Sequence, residues 1–173
     1  MQSSEPERPV SFAPGAGDTA TLRLAADDYE LRTAEGRLGA RIVAPDPVLP
    51  EAIETADGVW DLRWKRAGYV VAEARYSGLP SAAYRTSGFP GGHVTIEPDR
   101  RYRLSPPFFG DWWTLRTGRV RVGGALLQIR PPPIRFLTTI PVLDRPAFLT
   151  ALACIGERIE RSLPGGGGGG AGP

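Results

Sequence analysis

The sequence predicts a mainly β protein, a closed antiparallel barrel of about twelve strands enclosing a C-terminal hydrophobic helix. Three observations predict it. Short runs alternate apolar and charged residues, turn-forming pairs separate those runs, and one late segment is apolar on every side. Successive side chains of a strand face opposite sides of a sheet, so such alternation means one face buried and one wet. Parallel strands are usually covered on both faces, so the pattern marks an antiparallel sheet.

Taken in order, residues 1–18 are rich in Ser, Pro, Gly and acidic side chains and are expected to be a disordered tail. Strands are expected at 20–24, 29–32, 37–43, 59–65, 69–76, 81–86, 93–97, 101–104, 112–116, 119–122, 125–130 and 134–139. Alternation is clearest in Trp60-Asp61-Leu62-Arg63-Trp64-Lys65, Arg119-Val120-Arg121-Val122 and Leu127-Gln128-Ile129-Arg130. Asp27-Asp28, Glu35-Gly36, Ala67-Gly68, Pro98-Asp99, Thr117-Gly118 and Gly123-Gly124 supply the connections, of a kind that suits hairpins. A helix is expected over 146–161, with Asp144 as its cap and Pro146 in the first turn, where a missing N–H costs nothing. Ala147 to Ile155 has no polar stripe, and a helix apolar all round is a buried helix. Residues 163–173, mostly glycine, are expected to be a second disordered tail. Residues 19–162 are then one domain.

The helix decides between barrel and sandwich. A two-layer sandwich would leave most of it wet, whereas a lumen of about twelve strands admits a cylinder roughly 10 Å wide. Sixteen helical residues span about 24 Å. Strands of five to seven residues span roughly 17–23 Å, so the helix can plug such a barrel from end to end.

Composition narrows the classes of function. The 173 residues contain one cysteine, Cys154, so no intrachain disulfide can form. The first residues have no apolar core of the secretory type, and no apolar run approaches the roughly 18–20 residues that span a bilayer. The expectation is a cytoplasmic protein. The net charge of +2 hides an asymmetry: residues 1–64 carry twelve acidic and six basic side chains, residues 65–145 thirteen basic and five acidic. Of the 21 basic residues only Lys65 is a lysine, a bias that a GC-rich genome produces by itself.

The β-meander, the segment Trp112-Trp113-Thr114-Leu115-Arg116-Thr117-Gly118 and the helix at 146–161 together resemble the tubby C-terminal-like barrel superfamily. The LURP-one-related and phospholipid scramblase-like branch is the nearest. The resemblance covers residues 20–161 and rests on the order of elements. It implies a barrel around a central helix, and association with membranes or phosphoinositides through basic side chains. The chain departs from scramblases in lacking their cysteine-rich lipidation cluster. No tubby phosphoinositide residue maps onto a particular position here.

Most catalytic constellations are missing from the sequence. His93 is the only histidine, and with Cys154 in the core no Cys–His pair or zinc set is available. No phosphate-cradling loop or dinucleotide fingerprint occurs. A glycosidase-type carboxylate pair leaves no spacing signature, and Asp27, Asp28 and Asp61 are candidates in name only, expected at turns or on outer faces. The sequence therefore reads as a non-enzymatic binding or scaffold domain with no cofactor and no metal. Two features carry the binding expectation. One is the aromatic turn Phe108, Phe109 and Trp112, which suits a membrane interface or an apolar partner. The other is the arginine set Arg103, Arg116, Arg119 and Arg121, with Arg100 and Arg101 beside it, which suits anionic headgroups. Their structural alternatives are a capped barrel end and a solvated strand face. Nucleic acid is disfavoured, because no groove-reading helix or RNA motif accompanies the arginines. Two other readings stay open: a small-molecule carrier or enzyme with a pocket at a barrel rim, and a protein–protein interaction module.

Overall fold

The computed structural model describes residues 6–44, 49–66, 68–75, 80–87, 91–96, 100–106, 112–117, 125–129, 134–137 and 145–162. The chain is mainly β, an antiparallel sheet with one C-terminal helix. The strands are β1 (Thr19–Ala25), β2 (Asp28–Thr33), β3 (Leu38–Val43), β4 (Ala52–Thr55), β5 (Gly58–Arg66) and β6 (Tyr69–Ala74). They continue as β7 (Pro80–Thr86), β8 (Gly92–Ile96), β9 (Arg100–Ser105), β10 (Trp113–Thr117), β11 (Ala125–Ile129) and β12 (Ile134–Phe136), and α1 (Pro146–Ser162) follows. Each strand pairs with the next in sequence. In addition β12 pairs with β1 through Thr19↔Arg135 and Ala20↔Ile134.

The alternation read from the sequence is the alternation of burial. On β9 Tyr102 and Leu104 are buried while Arg101 and Arg103 are exposed. On β8 Gly92, Val94 and Ile96 face inward and His93 and Thr95 outward. Inward side chains from all parts of the strand order, among them Leu31, Ile53, Tyr84, Leu104 and Phe136, join one core with the helix.

Helix α1 is buried from Pro146 to Glu157 without a wet face. It touches β3 and β4, and also β7, β8, β9 and β11, so sheet surrounds it on widely separated sides. Phe148 and Trp60 stack with ring centroids 4.5 Å apart. Gly156 lies against Tyr84, where a Cβ would come within 2.7 Å of the ring. Glycine is what lets helix and sheet approach so closely. The N–H of Leu149 donates to the Arg145 carbonyl at 3.0 Å, so the first helical hydrogen bond begins one residue before Pro146. The expected cap, Asp144, lies outside the described residues.

Three expectations are corrected. The first is a strand that went unread, β4 (the strand expected over 119–122 lies outside the described residues and is not among the corrections). Ala52 and Ile53 of β4 are buried, and its hairpin to β5 turns through Ala56 and Asp57 into Gly58, whose φ is +145°. The Thr55 hydroxyl accepts from the Asp57 N–H and donates to the Gly58 carbonyl, both at 3.3 Å. A four-residue strand is too short to display a period, which is why this one was missed. The expected last strand, 134–139, has only three residues in β12.

The third correction concerns the N-terminus. Residues 6–18, part of the expected tail, dock on the sheet. Glu7 binds the Arg32 guanidinium at 2.7 Å, and the Val10 N–H donates to the Leu38 carbonyl at 2.8 Å. Phe12 is buried, edge-on to Phe136 at 5.5 Å. The Gly17 N–H donates to Phe136, and the Phe136 N–H to Asp18. This strap ties β3 to β12. Composition pointed to disorder because only Val10 and Phe12 are large and apolar among residues 6–18, yet one well-seated aromatic and a charged anchor offset the ordering entropy.

Candidate anion-binding face

The sheet's outer face is built by register. Antiparallel partners directly opposite each other lie on the same face with Cβ atoms roughly 5 Å apart. Arg66 of β5 is opposite Tyr69 of β6, Tyr69 opposite Arg85 of β7, and Arg85 opposite His93 of β8. His93 is opposite Arg103 of β9, and Arg103 opposite Arg116 of β10. One row across six strands thus holds four arginines, a histidine and a tyrosine, over about 24 Å of sheet at 4.8 Å per strand. Arg101 sits on the same face, two residues before Arg103. Arg66, Arg85, Arg101, Arg103 and Arg116 are all exposed. The Arg85 guanidinium lies 4.9 Å over the Tyr69 ring, which fixes its position without neutralising it.

The other half of the same sheet resolves the same geometry differently. There the row reads Arg23, Glu30, Arg41 and Glu54, alternating in sign from β1 to β4. Arg41 and Glu54 close to 3.1 Å, and Glu30 also takes Arg32 at 2.7 Å. Further round, Arg63 pairs with Glu73 at 2.8 Å and Arg75 with Asp61 at 3.0 Å. Among the described residues, Arg66, Arg85, Arg101, Arg103 and Arg116 make no ion pair. Like charges directly opposite in a sheet cost stability, so the Arg103–Arg116 pair carries a penalty that the β1–β4 row avoids.

His93 feels this row. Burial, then the charges of Arg101 and Arg103, hold its imidazole below the usual histidine range. Among the described residues no carboxylate pairs with it as one orienting a general base would, and the Cys154 thiol is held protonated: burial first, then the nearby Glu157 charge, push it up to about 12. Asp28 accepts from the Ala44 N–H at 3.1 Å, Asp61 is engaged with Arg75, and Asp27 is an exposed turn residue. Among the described residues no three His, Cys, Asp or Glu side chains cluster as metal ligands would.

Of the residues expected to bind, Arg103 and Arg116 are brought together as direct partners. Trp112 immediately precedes β10, half-buried on the same outward parity, with the Arg135 guanidinium 5.7 Å from its ring. Phe108, Phe109, Arg119 and Arg121 lie outside the described residues. Arg66, Arg85 and His93 were not foreseen as members. Alternation already placed His93 opposite in parity to Val94, but only pairing register could set it beside Arg103.

A shallow cleft of about 180 Å³ lies where the N-terminal strap crosses the end of β2, lined by Phe12, Asp18, Thr33, Glu35 and Arg37 among others. Small-molecule sites usually run from about 300 Å³ upward. Among the described residues no helix is long and apolar enough to cross a membrane. The chain matches no family model, no curated protein and no solved structure.

Proposed function

We propose that the chain is a non-enzymatic binding domain, a closed barrel of tubby-like type around α1, that docks its β7–β10 face on anionic membrane surfaces. One observation carries the reading: Arg103 stands directly opposite Arg116, with His93 on its other side and no ion-paired carboxylate among the described residues. A sheet that alternates charge elsewhere gives up stability here, and a layer of anionic headgroups would restore it, at roughly 1 kcal/mol per arginine near the surface. Closure is supported by the β1–β12 pairing, and the tubby-like reading by the strand order and the buried final helix. A cytoplasmic site of action, peripheral to the membrane, follows from the same proposal.

Co-sedimentation with phosphatidylcholine vesicles, with and without phosphatidylglycerol, tests it. Binding is expected only with the anionic lipid, weakening as salt rises. Arg103→Glu separates the two consequences of the row. It should abolish vesicle binding and yet stabilise the fold by about 0.2–1 kcal/mol, because a like-charge pair becomes an opposite pair. Unchanged sedimentation of that variant, or negligible wild-type binding to either vesicle, rejects the membrane reading. The carrier or rim-enzyme alternative is disfavoured, since Phe148, Leu149, Leu152 and Ile155 occupy the core and the one rim cleft described is small.

A further inference from the structure

We propose that His93 makes this face proton-linked, so that docking on an anionic surface and protonation of the imidazole favour each other. The proposal rests on the membrane reading above and adds a control to it. From β7 the charged group facing His93 is Arg85; from β9 they are Arg101 and Arg103; on its own strand the outward neighbour is the uncharged Thr95. Every charged group facing it among the described residues is therefore positive. In the free protein the added proton is opposed by partial burial and by Arg101 and Arg103. A layer of phosphates laid across Arg101, Arg103 and Arg116 reverses the sign of the local field. The imidazolium then becomes one more cation under that layer, with two N–H donors in place of one. Linkage makes the effect reciprocal: if bound headgroups hold the proton, the proton holds the headgroups. Histidine is the side chain whose ordinary value lies where cells change pH.

The chain's single histidine makes the test clean, because one imidazole gives one titration curve. Proton NMR of that ring should show its midpoint moving to higher pH when soluble short-chain phosphatidylglycerol is added. Vesicle co-sedimentation at about pH 5.5 and about pH 8 reads the other side of the linkage. Phosphatidylglycerol, a phosphodiester, keeps its charge over that interval, so the lipid contributes no titration. The wild type should bind about fivefold more tightly at the lower pH, the effect of one added surface charge. For His93→Gln the decisive quantity is the ratio of affinities at the two pH values, which should fall to about one. Wild-type binding with equal affinity at both pH values, a midpoint unmoved by bound lipid, or an undiminished ratio in His93→Gln overturns the proton linkage while leaving the membrane reading intact. No binding at either pH overturns both.

Discussion

His93 also contributes to the acid response of the unbound fold. Its folded value lies below the unfolded one, so the unfolded chain takes the proton first. The associated stability is fully present above the ordinary value of about 6.5 and is lost as pH falls through the lower folded value. Melting temperature should therefore drop between about pH 7.5 and about pH 5.5. His93→Gln should flatten that slope, as differential scanning calorimetry can record. Glu7 adds a second loss further down the scale, since its bond to Arg32 lowers its value and protonation below the usual carboxylate range undoes the strap's anchor. Cys154 gives an independent check on the core. With its thiol pushed up to about 12, an aromatic disulfide reagent at about pH 8 should leave native protein unlabelled and label it fully in denaturant. Fast labelling of native protein would place the helix outside the sheet. Single residues were legible in the sequence wherever parity alone decided their side, as for Arg103 and Arg116. His93 and Arg85 were not, because their partners are set by hydrogen-bond register between strands, which no one strand encodes.

At the scale of elements, α1 was the most legible part, since its apolar circumference has one physical solution. What the pattern could not convey is the closeness of its fit. Tyr84 is fully buried between Gly92 of β8 and Gly156 of α1. Gly156→Ala would gain helix propensity, yet it would drive a methyl group into a ring that has no room to retreat. The expected net effect is a loss of about 1–3 kcal/mol in urea unfolding, the usual cost of overpacking. A stabilised variant would mean that the helix can shift against the sheet. The strap is the element composition hid. Phe12→Ala should cost about 3 kcal/mol, the lower end for a buried phenylalanine, because the rest of the strap retains its backbone bonds. If the strap were only a tail resting on the surface, the change would be close to zero. Strand β4 was hidden for a different reason: it has four residues, too short a run before the Asp57-Gly58 turn signal to read as a strand.

Across the whole molecule, the charge asymmetry of the sequence becomes a spatial one. The acidic first third supplies β1–β4, where carboxylates interleave with arginines. The basic middle supplies β7–β10, where Arg85, Arg101, Arg103 and Arg116 make no ion pair among the described residues. Sequence counting could find the imbalance but could not say whether the arginines were spread or aligned, because alignment is a property of twelve strands in register. Among the described residues, the β1–β4 flank thus carries paired charges and the β7–β10 flank a row of like ones.

The pairing of β1 with β12 and the late position of α1 also set the order in which the protein can be made. Thr19 leaves the ribosome more than a hundred residues before Arg135, its partner. At about 5–20 residues per second, the inward side chains of the early strands wait several seconds for the helix that covers them. Nascent chains halted before residue 146 should be protease-sensitive and held by chaperones, whereas chains extended far enough for α1 to clear the ribosome should become resistant in one step. On this ordering the strands should complete their core only once α1 is available to them.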